Sequence, residues 1–419
     1  MNRSQKVVIF LFVASFLGGV ISGASFYYHL AYFWGGLFLF AWIHSRLVLQ
    51  GLDLNRISRI HRSQVGLNLE ERFELINHSR IPHLWVAIKN DSPLPDSKGS
   101  KVIGLIKGNE TRSYLVRTRL IQRGLFPLGD TILSSGDIFG LFQVQRRLPA
   151  RDSILVFPMT VDIRDFPSPA GTLPGGEAMR RRTQQITANA AGVRDYLPGD
   201  PFNRIHWLSS ARQNRLIVKE FELDPLAEVW MIFDADKQLH RGEARIQVQL
   251  NPRELWKRRV NIPMPSSSFE VQVVACASLI KYFLEKKRSV GFIARDRNLH
   301  LFSAEKGSRQ FIKIMESLAI IEPEGSLPIQ NLVENQAKFI PTGSTVILLS
   351  PATYESILQT TYILGRRGYH PLVIRIAAET YDPDAQLPIG LSPEQNFNFP
   401  VYIIHKGDEL TQVLRKSVY

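Results

Sequence analysis

The first pattern along the chain is an absence of charge: Val7 to Ser45 contain no Asp, Glu, Lys or Arg. That is longer than the apolar core of an export signal, about 7–15 residues, and roughly twice one bilayer span. The run predicts a membrane hairpin, with one helix near Lys6 to Ile21, an outer turn at Ser22-Gly23-Ala24-Ser25 and a second helix near Tyr28 to Leu47. Gly18-Gly19 and Gly35-Gly36 would let the two helices approach closely. From Gly51 to about Phe157 the period falls to two. Val65, Leu67, Leu69, Phe73 and Leu75 alternate with polar residues, as do Leu84, Val86 and Ile88, then Tyr114, Val116 and Leu120, then Ile154 and Val156. Turn formers separate these runs at Asn77-His78-Ser79, Asn90 to Gly99, Gly108-Asn109, Gly129-Asp130 and Ser135-Gly136-Asp137. Short strands at this spacing suggest an immunoglobulin-like β-sandwich.

Pro158 to Ala190, rich in Pro, Gly and Thr, reads as an extended linker. Beyond it, Val229 to Phe233 is a buried type of strand, and helices at Phe269–Lys287, Gln310–Leu318 and Tyr354–Arg367 alternate with strands at Val290–Ala294, Thr345–Leu349, Leu372–Ile376 and Val401–Ile404. Such alternation predicts a doubly wound α/β domain. Ser267-Ser268-Phe269-Glu270 reads as a capping box for its first helix. The expected division is therefore 1–50 membrane hairpin, 51–160 β-sandwich, 161–223 linker and central segment, and 224–419 α/β domain.

The central segment, Gly192 to Glu222, carries the densest local instruction. Pro198-Gly199 suits the middle of a type II turn, and Asp200-Pro201 suits a helix start, with the Asp carboxylate accepting a first-turn N–H and Pro at the first helical position. A short helix and then a strand carrying Leu216, Val218 and Phe221, with Lys219 and Glu220 partly outward, should follow. Arg194, Asp195, Asp200, Arg204, His206, Arg212, Arg215, Lys219, Glu220 and Glu222 interleave both signs of charge. Three readings fit: a partly buried ion-pair network that locks an irregular loop, a docking surface, or a hydrolase built on Asp195, His206 and Ser209 or Ser210. No nucleophile-elbow pattern surrounds either Ser.

Composition changes the picture in three places. At 419 residues, 44% hydrophobic and 21% charged, the chain has material for two or three cores. Its single cysteine, Cys276, excludes an internal disulfide and a Cys-rich zinc site. The net charge of +13 would suit nucleic acid, but no nucleic-acid module is present, and cytoplasmic loops of membrane proteins collect Lys and Arg for another reason. Arg3 and Lys6 before the hairpin, with Arg46, Arg56, Arg59 and Arg62 after it, place both termini and the body of the chain in the cytoplasm of a two-pass plasma-membrane protein. An export signal is the alternative, although the second apolar segment has no place in it. Arg180-Arg181-Arg182 could meet anionic lipid or be solvated. Neither phosphate-loop pattern, G-x-x-x-x-G-K-[ST] or G-x-G-x-x-G after a strand, occurs, so no nucleotide or other cofactor is expected.

The residues Arg194, Asp195, Tyr196, Pro198, Gly199, Asp200, Arg204, His206, Trp207, Ala211, Arg212, Lys219 and Glu220 resemble the signature of the domain of unknown function 58 (DUF58) family. Arg123-Gly124, Leu128-Gly129 and Asp137 to Phe142 are similar to motifs of the same family in its β-rich domain. The resemblance implies two membrane helices, a β-domain and a von Willebrand factor type A-like domain, with a MoxR-type AAA+ ATPase or a transglutaminase-like protein as candidate partner. A type A domain ends its first strand in D-x-S-x-S for Mg²⁺. Here those positions hold Asp234, Asp236 and Gln238, so a degraded site without metal is expected, followed by an insertion over 238–265 with the basic cluster Lys257-Arg258-Arg259. The expected function is a membrane-anchored interaction or scaffold protein rather than an enzyme, with the hydrolase as alternative.

Overall fold

The computed structural model describes residues 2–58, 60–97, 99–150, 152–166, 190–197, 205–221, 228–243, 262–382 and 399–415. Arg180–Arg182, Pro198, Gly199, Asp200, Arg204 and Lys257–Arg259, with most of the linker and of the 238–265 insertion, lie outside them. Contacts divide the chain into two compact units, the first built on Met1–Met159 and the second on Thr160–Arg245 with Met264–Tyr419.

The first unit opens with two helices, α1 (Arg3–Ser22) and α2 (Ser25–Leu47). Only α1, with mean hydropathy 1.9, is both long and apolar enough among the described residues to cross a membrane; a signal sequence meets the same criteria. The pair is separated by Gly23, which takes the left-handed conformation (φ 64°) and gives its N–H to the Gly19 carbonyl. A Cβ added to Gly19 would stand 3.1 Å from the Tyr28 ring and one at Gly35 3.1 Å from the Phe12 ring, whereas one at Gly36 would meet nothing within 4 Å.

Ten strands follow: β1 (Leu52–Ser58), β2 (Arg62–Gln64), β3 (Asn68–Asn77), β4 (Val86–Asp91), β5 (Lys101–Ile103), β6 (Thr111–Arg119), β7 (Gly124–Pro127), β8 (Asp130–Gly136), β9 (Gln143–Leu148) and β10 (Ser153–Phe157). They make an antiparallel sheet β1-β3-β6, a second antiparallel sheet β5-β4-β8-β9, and a small sheet β2-β10-β7. Leu52 and Leu75 of the first sheet share one core with Val86, Ile88, Ile103 and Leu133 of the second. Arg56 ties the two together: it pairs with the buried Glu71 at 2.7 Å and donates to the Leu128 carbonyl and to Asn90. β8 runs through positions whose Gly, Ser and Asp content predicts turns. The strand holds there because Ser135 is buried and its hydroxyl donates to the Trp85 carbonyl at 2.6 Å.

The second unit contains β11 (Ala190–Asp195), α3 (Trp207–Gln213) and β12 (Ile217–Phe221), then β13 (Glu228–Phe233), α4 (Ser268–Glu285), β14 (Ser289–Arg295), β15 (Leu299–Glu305), α5 (Ser308–Ile320), α6 (Ile329–Gln336), β16 (Thr345–Ser350), α7 (Tyr354–Arg366), β17 (His370–Ile376), β18 (Val401–Ile404) and α8 (Leu410–Val413). β11 and β12 form a two-stranded ribbon, and the main sheet has the order β15-β14-β13-β16-β17-β18. All its pairs are parallel except β14 with β15 at one edge. Trp230 and Ile232 of β13 pack with Leu332 and Val333 of α6 and Ile357 of α7, whereas the alternate residue Phe233 packs edge-on against Phe269 of α4. Helices therefore cover both faces, an arrangement compatible with a doubly wound domain. α4 differs from expectation at its start: Ser267 caps it without a side-chain hydrogen bond to the helix, and Ser268 instead exchanges hydrogen bonds with the Arg241 main chain.

Candidate functional site

Two places in the second unit gather the residues singled out by sequence. The first is the ribbon of β11 and β12 with α3 between them in sequence. The strands pair antiparallel with Asp195 opposite Ile217, Arg194 opposite Val218, Val193 opposite Lys219 and Gly192 opposite Glu220. Tyr196 extends the ribbon by one bond, its N–H donating to the Leu216 carbonyl at 2.9 Å. Asp200 and Pro201, where a helix start is expected, lie outside the described residues; Ile205 is buried and bridges to Val218 as a strand residue. His206 caps α3: its Nδ1 accepts the Ser209 N–H at 3.1 Å, while its main-chain N–H donates to the Ile217 carbonyl at 2.7 Å. Asn214, left-handed at φ 51°, ends the helix and turns the chain into β12.

Asp195, His206 and Ser210 each have a separate partner here. Ser210 is buried, and its Oγ accepts the Ile217 N–H at 2.9 Å, fixing the inner side of α3 to the ribbon. Asp195 pairs with Arg215 at 3.0 Å in an exposed position, where such a pair contributes little. His206 is turned to the helix N-terminus and faces the Ser209 main chain. The remaining signature residues of α3, Trp207, Ala211 and Arg212, point outward with Leu208. Trp207 is 65% exposed and Leu208 63%, and Leu197 and Leu216 beside the helix ends are also open. A small helix thus has its inner face bonded to main chain and presents a tryptophan and a leucine, rimmed by Arg212 and Arg215, to the outside.

The second place is the C-terminal end of the main sheet between β13 and β16, where the strand order reverses and open α/β sheets bind ligands. Asp234, the residue after β13, is 1% exposed; its carboxylate accepts the Ser350 hydroxyl at 2.5 Å and the Asp236 N–H at 3.1 Å. Burial is the largest influence on it and pushes its pKa up to about 6, against the opposing effect of those two donors. His240 donates through Nε2 to the Asp234 carbonyl at 3.1 Å, and burial lowers its pKa to about 4, so it is neutral at physiological pH. From α4, Gln272 gives its amide to the carbonyls of Asp234 and Leu349, clasping both strand ends. Gly325 lies across the top: its N–H donates to the Ala235 carbonyl and its carbonyl accepts the Lys237 N–H.

The donor set here fits a divalent cation poorly. Asp234 is covered and already hydrogen-bonded, Asp236 accepts the Gln238 N–H at 3.0 Å, and the third position of the motif is an amide. Among the described residues no three His, Cys, Asp or Glu side chains come together. Ser350, His240 and Gln272 escaped the sequence reading. Ser350 alone left a signal, as a hydroxyl at the end of a buried parallel strand.

The family model described as "Protein of unknown function DUF58" matches residues 192–249, a span that contains most of β11 and all of α3, β12 and β13, with Asp234. A relative from Bacillus subtilis (strain 168), "Uncharacterized protein YeaD", is 21% identical over 332 residues, which cover 77% of this chain and 74% of that protein. A crystal structure of a GH20 exo-β-N-acetylglucosaminidase from Vibrio harveyi in complex with N-acetylglucosamine aligns over 78% of this chain at 9% identity, with a TM-score of 0.18, and the alignment spans only 57% of that enzyme. At that score the likeness supports neither a shared fold nor a shared activity.

Proposed function

We propose that this chain is a DUF58 family protein held in the plasma membrane by α1 and α2, with both termini and the body in the cytoplasm, and that it works as a docking scaffold for another protein. The family match over the signature, the apolar α1 and the basic residues flanking the helix pair support this reading. Two sheets around a shared core support the immunoglobulin-like β-domain. The reversing strand order with its antiparallel edge supports the von Willebrand type A-like domain, here with the metal motif lost.

The observation that carries the docking function is the exposure of Trp207 and Leu208 on a helix whose other side is fixed by Ser210 and His206. A tryptophan on a preorganised support with arginines at the rim is the composition of an interface anchor. The resemblance supplies the candidates, a MoxR-type AAA+ ATPase or a transglutaminase-like protein. The test is a photo-reactive residue at Leu208 in the full-length chain in native membranes. One discrete cross-linked protein adduct is expected, and it should disappear when Trp207→Ala is added. No adduct, or one that survives that substitution, would contradict the assignment.

A further inference from the structure

The loop between β8 and β9, Asp137 to Phe142, is a motif of the β-domain that the docking function leaves unused. Its sequence, DIFGLF, holds four large apolar residues in six, and it packs against the helix pair. Leu141 is buried with Val8 of α1 and Ala41 of α2, and the Phe142 ring meets Phe38 of α2 edge-on at 5.1 Å. Ile138 and Phe139, at the tip, are 55% and 50% exposed, and the Phe139 ring lies 6.5 Å from that of Phe40, itself open.

The height of these contacts along α2 decides what the tip meets. Arg46 stacks over Trp42 at the C-terminal end of α2, the arrangement of a side chain at a membrane–water boundary. Ala41 lies five residues before Arg46 and Phe38 eight, so at 1.5 Å per residue the loop reaches about 7–12 Å past the Arg46 level. That depth is within one leaflet of a hydrocarbon core about 30 Å thick. Val8, close to the N-terminal end of α1, marks the same level on the other helix. Phe40, beside the tip, is exposed and apolar, so the loop extends the apolar surface of α2. Single exposed apolar residues elsewhere on the β-domain, such as Val102, have no such continuity.

The loop is also built for a medium that cannot hydrogen-bond. Asp137 is buried, and its carboxylate accepts the N–H groups of Phe139 at 2.9 Å and Phe142 at 2.5 Å, while its carbonyl takes the Gly140 N–H. Irregular backbone at membrane depth requires internal partners of this kind. Gly140, at φ 67°, permits the tight reversal that leaves the two apolar residues at the apex.

We propose that this loop is a membrane-dipping wedge: Ile138 and Phe139 enter the acyl-chain region of the leaflet that holds the N-terminal end of α1 and the C-terminal end of α2, and fix the β-domain against the bilayer. The inference rests on α1 and α2 spanning the membrane, and its test keeps the two apart. Single cysteines at Ile138, at Phe16 in α1 and at Val102 would each carry an environment-sensitive fluorophore in the full-length protein in phosphatidylcholine–phosphatidylglycerol nanodiscs; Cys276 is buried and stays unlabelled. The label at 138 should be quenched several-fold more by a nitroxide near the glycerol end of the acyl chain than by aqueous iodide, and the label at 102 the reverse. A label at 138 that behaves like the one at 102, while that at 16 reports lipid, would overturn the wedge and leave the spanning helices intact. Aqueous quenching at 16 as well would overturn both. Protection of 138 from both quenchers would mean that protein covers the tip, and would also overturn the wedge. Phe139→Cys repeats the test one position along.

Discussion

At the scale of single residues, Asp234 is the chain's most informative group. A carboxyl shut away from water with its pKa raised from 3.8 to about 6 binds its proton more tightly folded than unfolded. Its favourable effect on stability is therefore complete below pH 3.8 and is lost as pH rises toward 6, an amount on the order of 3 kcal/mol for a shift of this size. Asp234→Asn keeps a hydrogen-bonding amide beside Ser350 and the Asp236 N–H but cannot ionise. In thermal unfolding of the detergent-solubilised protein, the variant should match the parent near pH 4 and melt above it at pH 7.5. Equal melting temperatures at both values would show that the carboxyl is not held at a cost. Sequence placed Asp234 correctly at the end of a strand, since five apolar residues before an Asp read as a buried parallel strand. It did not disclose the environment, because Ser350 and Gln272 stand 116 and 38 residues away and meet Asp234 only once the sheet has formed.

At the scale of elements, the strands and helices buried on both sides were the legible ones. Val229–Phe233 and Thr345–Leu349 differ from β13 and β16 by one residue each, because unbroken apolar runs leave little choice of boundary. The half-exposed elements were not legible: β15 at the sheet edge went unread, and so did α6. α3 begins at Trp207, directly after Ile205 is held to the ribbon by its bridge to Val218. A backbone approach at one glycine was equally hidden. A Cβ at Gly325 would meet the main-chain oxygens of Ala235 and Arg295 at 2.7 Å, so only glycine lets this segment lie over the strand ends. Gly325→Ala should cost about 1–3 kcal/mol and speed hydrogen exchange at the Lys237 amide, which donates to the Gly325 carbonyl. Gly365→Ala, inside α7 with nothing near its Cβ, should instead gain up to about 1 kcal/mol. Unchanged exchange at Lys237 in Gly325→Ala would remove the cover from the account.

At the scale of the whole molecule, what distinguishes this chain is where it leaves apolar residues open. α1 and α2 expose them along much of their length, the β8–β9 loop continues them, and α3 shows Trp207 and Leu208 in the second unit. The family signature was recognisable as sequence; the bonds that fix α3 to the ribbon run through Ser210, His206 and the Ile217 main chain. The central claim is that this segment divides into a structural inner face and an outer face reserved for a partner. Thermal unfolding of Ser210→Ala and Trp207→Ala, each in the full-length protein, tests it most directly. Ser210→Ala strands the buried Ile217 N–H and should destabilise by about 1–3 kcal/mol, while Trp207→Ala should melt with the parent. A Trp207→Ala protein that unfolds as early as Ser210→Ala would make the tryptophan part of the fold and contradict the claim.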